Sequence, residues 1–318
     1  MREPLGIESY EAGIHAIDSG YFRPGAMASH LVVRDGEAAF VDVGANSAVP
    51  RLLGALDHLG LDASQVRYLF ITHVHLDHAG GAGELMRMLP NAHAVLHPRG
   101  VPHMVDPRRL EAATRAVYGA EVFDRLFGHL VPIQEERIRS VKDGERMTLG
   151  DSHLEVWHTE GHARHHFCLY DPRSQGVFAG DCFGIAYREL ETKAGSFVFP
   201  TTTPTQFDPF EARVTLKRIM AVSPQRIFLA HYSQVDRSLE TLAQTLRTEI
   251  DFYERTAQEY RDAPRRLEAI FSALRLHTVN RLREHGVADA VTVYEQLLPF
   301  DIHLNAMGLD HWVSRQLA

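Results

Sequence analysis

Three histidines and one aspartate fall within six positions in the run Ile71-Thr72-His73-Val74-His75-Leu76-Asp77-His78-Ala79-Gly80-Gly81. Imidazole nitrogens and a carboxylate are the donors that Zn²⁺ and other first-row metals take. Buried without a cation, such side chains are costly for want of partners. Metal binding is therefore the expected chemistry. With 20 histidines in 318 residues, presence alone selects nothing, and clustering has to. Further donors stand at intervals downstream: His162 in Thr159-Glu160-Gly161-His162, Asp181 in Ala179-Gly180-Asp181, and His231 after Ala230. Upstream, Asp42 sits in Val41-Asp42-Val43-Gly44 and is expected to orient ligands by hydrogen bonding rather than to bind metal.

The elements around these residues must hold them in place. The apolar run 66–71 (VRYLFI) predicts a strand buried on both faces, leading straight into the histidine turn. Residues 82–89 predict a helix stopped by Pro90. Residues 30–33 and 38–42 read as a hairpin about Asp35-Gly36, residues 48–59 as an amphipathic helix, and 92–96 as a strand. From 98 to 130 the pattern is helical but broken by Pro102, Pro107, Gly119 and Gly128. Strands are expected at 137–141, 145–149, 154–157, 167–170, 177–179 and 226–230, with a helix from Asp208-Pro209 to about 222. After 236 the chain reads as helices, at 239–259, 264–284, 289–297 and 302–316. The class is α/β. The expected division is a catalytic domain over 1–235 and an all-helical extension over 236–318 packed on it.

The HxHxDH string, with the Gly-His, Gly-Asp and Ala-His elements following in order, resembles the metallo-β-lactamase-fold hydrolase superfamily, in its glyoxalase-II-like and lactonase-like branches. That resemblance implies an αβ/βα four-layer sandwich with a C-terminal helical extension, and a dinuclear metal site at the rim between two sheets. It assigns His73, His75 and His162 to one metal, and Asp77, His78 and His231 to the other, with Asp181 between them. The ions implied are two divalent cations, Zn²⁺ foremost, with Fe or Mn as alternatives. A metal lowers the pKa of its water from 15.7 to about 7. The activity implied is thus attack of a metal-bridging hydroxide on the carbonyl of a small ester, thioester or lactone, with Asp77 and Asp181 orienting the water and shuttling its proton. Tyr187 is a candidate hydrogen-bond donor to the carbonyl, as in lactonase-like relatives, or else a packed loop aromatic. Where the family often has Pro-Gly-His this chain has Glu160-Gly161-His162. His165 stands where glycine is common, and Ala230-His231-Tyr232-Ser233 replaces Gly-His-Gly. No metal donor is lost by these departures, but the surroundings change.

Two other functions compete. A mononuclear-iron, persulfide-dioxygenase-like oxidation would use His73, His162 and Asp181 as a facial set. A ligand-binding module would keep the metal pair without catalysis. Nucleic-acid chemistry is disfavoured, because 33 basic residues face 41 acidic ones and the stretch from 236 holds 10 Arg, no Lys and 13 acidic residues. No run of eighteen uncharged apolar residues predicts a membrane span. The opening MREPLGIESYEAGIH has no apolar core and carries Glu3, Glu8 and Glu11, so no leader is expected there. Two cysteines, Cys168 and Cys182, make no disulfide framework. Cys182 is expected to face away from the metals, and His165 and His166 to support ligands from behind. The expectation is a cytoplasmic protein acting on a small molecule, without nucleic-acid or membrane partners, with homodimer formation open to the helical extension.

Overall fold

Alternate residues of the central strands bury their side chains in two different cores, and that fixes the arrangement of the first half of the chain. The computed structural model describes residues 6–202 and 204–317; Glu3 lies outside them. The first sheet runs in chain order: β1 (Ile7–Tyr10), β2 (Ile14–Asp18), β3 (Ala28–Arg34), β4 (Glu37–Val41), β5 (Val66–Phe70), β6 (His93–Leu96) and β7 (Ile138–Ser140). Pairing is antiparallel from β1 to β4 and parallel from β4 to β7. The second sheet contains β8 (Arg146–Leu149), β9 (Ser152–His158), β10 (Phe167–Asp171), β11 (Gly176–Gly180), β12 (Arg226–Leu229) and β13 (Ser233–Val235), in the order β13-β12-β11-β10-β9-β8. Parallel pairing joins β11 to β12.

Leu31, Phe40, Leu69, Ala94 and Leu96 point from the first sheet onto Leu52 and Leu56 of α1 (Val49–His58) and Leu85 of α3 (Ala82–Met88). Their neighbours Val32, Val41, Phe70 and Val95 point the other way, onto Leu154, Val156, Phe167, Leu169 and Phe178 of the second sheet. The period-2 alternation of a strand therefore serves two apolar layers, which is why VRYLFI has almost no polar positions. Between α1 and α3 lies the one-turn α2 (Leu76–Ala79); beyond β6 come α4 (Val101–Val105), α5 (Arg108–Tyr118) and α6 (Ala120–Leu126). At the strand ends, Arg34 and Asp171 form a buried ion pair at 2.7 Å.

The chain divides into two compact units. The sheet unit comprises residues up to 158 with 165–180 and 225–234; the helical unit comprises 159–164, 181–224 and the chain from 235. In the helical unit, α7 (Pro209–Met220) begins at Asp208, whose carboxylate accepts from the Phe210 and Glu211 amides, and Pro209 occupies the first turn as its sequence predicts. Arg213 of α7 reaches Asp251 and Glu254 of α8 (Leu239–Glu259). The remaining helices are α9 (Arg266–Glu284), α10 (Ala290–Leu297) and α11 (Pro299–Leu317). Buried Glu249 of α8 accepts from His277 and Arg281 of α9, each at 3.0 Å. Among the described residues no helix is long and apolar enough to cross a membrane.

Candidate functional site

In the sheet unit the histidine turn leaves the C-terminal end of β5, beside the end of the parallel strand β4. Asp42 follows β4 with a φ of 58°, which turns its carboxylate inward. That buried carboxylate accepts from the Thr72 amide, the Thr72 hydroxyl and His78 Nδ1, each at 2.8 Å. These contacts fix protons. A carboxylate accepts, so His78 carries its proton on Nδ1 and presents a bare Nε2. Thr72 has one hydroxyl proton and donates it to Asp42, so its oxygen accepts from His73 Nδ1 at 3.1 Å. His73 Nε2 is then bare as well, and it faces His75 Nδ1 at 2.9 Å. His231 donates from Nδ1 to the carbonyl of Ala26 at 2.7 Å, which leaves its Nε2 bare too.

The His78 and His231 nitrogens converge on a carboxylate. Asp77 Oδ2 lies 3.4 Å from His231 Nε2 and 3.7 Å from His78 Nε2. Ligand atoms of Asp77, His78 and His231 all fall within 4.8 Å of one another. Two donors on a tetrahedral metal with bonds of about 2.0–2.1 Å sit about 3.4 Å apart, so this set fits one divalent cation. His165 accepts from the Val74 amide at 3.4 Å, and its ring stacks 6.3 Å from that of His73. His166 lies 5.0 Å from His73, ring to ring. Gly180 sits at φ +48°, where an added Cβ would stand 2.5 Å from His166 Nε2. The glycine before Asp181 is thus required by its neighbour as well as by its backbone.

The helical unit carries the other two donors. Gly161, at φ +123°, brings the chain so close to α7 that a Cβ would come within 2.5 Å of Ala212 Cα. The Asp208 amide donates to the Gly161 carbonyl at 2.8 Å. Next in sequence, buried His162 places Nε2 3.5 Å from Asp181 Oδ2, the same spacing that shared coordination asks for. Thr201 Oγ1 lies 2.8 Å from His162 Nδ1 and 3.0 Å from the Asp181 carbonyl. Beside these groups is a small cavity with room for about one water molecule, bounded by Thr201, Phe207, Leu216, Leu246 and Ile250. Tyr187 is buried, packs edge-on against Phe199 and donates its hydroxyl to Asp301 of α11 at 3.2 Å. The half-buried Cys182 thiol approaches the Thr159 carbonyl at 3.7 Å.

Imidazole and carboxylate donors in these two sets suit zinc, and also iron or manganese. A model of the metallo-beta-lactamase superfamily matches residues 23–231. The chain belongs to the metallo-beta-lactamase superfamily. A metallo-beta-lactamase fold-containing protein of Sulfurisphaera tokodaii is 24% identical over 225 residues, which is 69% of this chain and 78% of that relative. The acyl-coenzyme A thioesterase MBLAC2 of Gallus gallus is 29% identical over 189 residues, 56% of this chain and 64% of the relative. Among solved structures, a metallo-beta-lactamase family protein of Thermus thermophilus superposes with a TM-score of 0.67 at 17% identity, over 96% of this chain and 94% of that one. The metallo-β-lactamase fold expected from the motifs is thereby shown, and helices α8–α11 follow the β core as anticipated.

Sequence reasoning passed over two residues that set proton positions, Thr72 and Thr201. Thr72 adjoins the histidine string, and its place directly before His73 was an available signal. Thr201 lies 39 positions from His162 with no motif around it, and only the fold connects them.

Proposed function

We propose that the chain is a dinuclear metal-dependent hydrolase of a small carbonyl ester, thioester or lactone. One divalent cation would be held by His73, His75 and His162, the other by Asp77, His78 and His231, with Asp181 shared. The observation that carries the reading is the convergence of His78 Nε2, His231 Nε2 and Asp77 Oδ2 within 4.8 Å, with both imidazoles held in the metal-accepting tautomer from behind. When bound, the metal pair supplies an acidified water as nucleophile and a Lewis acid for the substrate carbonyl.

The chain's own residues do the rest. Asp42, accepting from His78 Nδ1, raises the basicity of that ring and fixes its plane. Asp77 and Asp181 would orient the water through their carboxylates, and the oxygen that each does not give to a metal would take up its proton and return it to the leaving group. Tyr187 would serve as donor to the carbonyl oxygen only by giving up its hydrogen bond to Asp301; as the structure holds it, it is a packed aromatic. Thioesters are favoured within the class because a relative of 29% identity is named an acyl-coenzyme A thioesterase. The acidic balance of −8 fits a small-molecule substrate better than nucleic acid.

The test is metal analysis joined to a panel of acyl-coenzyme A thioesters, lactones and simple esters, run before chelation, after it, and after metal return. Two metals per chain are expected, with thioester turnover abolished by chelation and restored by divalent metal. Turnover undiminished in chelated protein would overturn the reading, as would oxygen consumption without hydrolysis in iron-loaded protein.

A further inference from the structure

The helical unit contains a chain of contacts that runs from its last helix to the metal-facing histidine. Asn305 of α11 is buried, and its amide is used at both ends: Oδ1 accepts from the Thr202 amide at 2.6 Å and Nδ2 donates to the Pro200 carbonyl at 2.9 Å. The Thr202 hydroxyl adds a bond to the Asn305 carbonyl at 2.8 Å. A backbone N–H can only donate and a carbonyl only accept, so the orientation of this amide is determined. Residues 200 and 202 are therefore pinned, and Thr201 is fixed between them.

Thr201 has one hydroxyl proton. The Asp181 carbonyl, 3.0 Å away, accepts only, so the proton goes there. The oxygen that remains toward His162 Nδ1 at 2.8 Å is a lone pair, and it demands a proton on Nδ1. His162 is thereby held with a bare Nε2, which faces Asp181 Oδ2. The Thr201 hydroxyl, seconded by the Thr201 carbonyl 3.5 Å from the same nitrogen, holds the tautomer of the imidazole and also fixes the backbone of the carboxylate.

We propose that Thr201 and Asn305 are positioning residues for metal binding, with the C-terminal helix α11 setting the tautomer and ring position of His162 through the 200–202 segment. The inference rests on the ligand roles of His162 and Asp181 given above. Removing a hydrogen-bond partner behind a metal-bound histidine costs about 10- to 100-fold in metal affinity.

The test uses the full chain and four variants: Thr201→Val, Thr201→Ser, Asn305→Ala and Asn305→Asp. Zinc affinity is measured by competition with a chromophoric chelator. The tautomer of His162 is read from ¹⁵N shifts of the imidazole in chelated protein. Thr201→Val is expected to weaken one of two zinc sites about 10- to 100-fold and to move the ring away from the pure Nδ1–H form, while Thr201→Ser keeps both properties. Asn305→Asp sets a carboxylate oxygen against the Pro200 carbonyl and is expected to weaken the same site, even where Asn305→Ala fails to fold. Wild-type zinc affinity and an Nδ1–H ring in Thr201→Val would overturn the inference while leaving the hydrolase reading intact. A wild-type chain that binds no zinc would overturn both.

Discussion

The two donor sets are held by opposite strategies. In the sheet unit, His73 and His78 take their tautomers from Asp42 and Thr72, groups that adjoin them at the ends of neighbouring parallel strands. The support is a buried anion with three hydrogen bonds. In the helical unit, His162 takes its tautomer from a neutral hydroxyl, and that hydroxyl is steadied from a helix more than a hundred residues away in sequence. A charged, local support gives strength; a neutral, remote one gives a place where changes in distant helices are felt at a ligand.

The sharpest test of that contrast is Asp42→Ala. It leaves the Thr72 amide, the Thr72 hydroxyl and His78 Nδ1 without their acceptor, at about 1–3 kcal/mol for each buried donor left unmade. Chemical denaturation of chelated protein should show several kcal/mol of lost stability, together with loss of metal from the Asp77–His78–His231 set. Thr201→Val deletes one neutral hydroxyl and should cost the chelated protein far less. Equal losses in the two variants would break the comparison.

A second contrast concerns buried charge. Asp171→Asn leaves the Arg34 guanidinium, 2% exposed, without its anion. Burial already disfavours the charged form of that guanidinium, and Asp171 offsets this. Breaking a buried pair costs about 3–5 kcal/mol. Glu249→Gln in the helical unit should cost less, because His277 and Arg281 are both partly exposed and keep water as a partner. Urea midpoints at pH 7 compare the two directly; a larger loss from Glu249→Gln would reverse the ranking.

How much of this was readable beforehand follows the same division. The histidine turn, the two-faced strand before it and the helix from 239 to 259 carry their signals within a few residues, and they form where expected. Strands β1, β2 and β13 were not anticipated. Each is short; IESY mixes charge with apolar residues because β1 lies at the edge of the sheet with its side chains partly exposed, while IHAID carries His15 and Asp18 although β2 is mostly buried. The Arg34–Asp171 pair spans 137 positions and the Asn305 clamp about a hundred, so no window of sequence contains either. Asp42 was expected to orient rather than to ligate, and its three donors fit that role.

Acid should bear on the sheet core. His30 of β3 is buried between Phe178 and Phe228, and burial pushes its pKa down from 6.5 to about 3. Its ring stays neutral in the folded state while the unfolded chain takes up a proton below pH 6.5. The corresponding stability is therefore complete above that value and is lost as pH falls toward about 3. The steepest slope is about 1.4 kcal/mol per pH unit. In His30→Leu the difference in unfolding free energy between pH 7 and pH 5 should shrink by this contribution. An unchanged pH dependence would show that His30 is not held neutral in the sheet core.

The smallest expected effect lies at the start of α7, where a local cap and a remote support fall on one residue. Asp208 caps the helix with its carboxylate and, through its backbone amide, holds the Gly161 carbonyl beside His162. Asp208→Ala removes only the side chain, at about 1 kcal/mol for a lost N-cap. The hydrogen bond from the Asp208 amide to the Gly161 carbonyl survives on paper, yet it depends on the first turn of α7 remaining in place. If the His162 side of the site is as dependent on remote helices as the Thr201 contacts imply, zinc affinity should fall several-fold in Asp208→Ala while thermal stability barely moves. A variant that loses its capping energy but keeps wild-type zinc affinity would confine that dependence to α11, and leave α7 as scaffold alone.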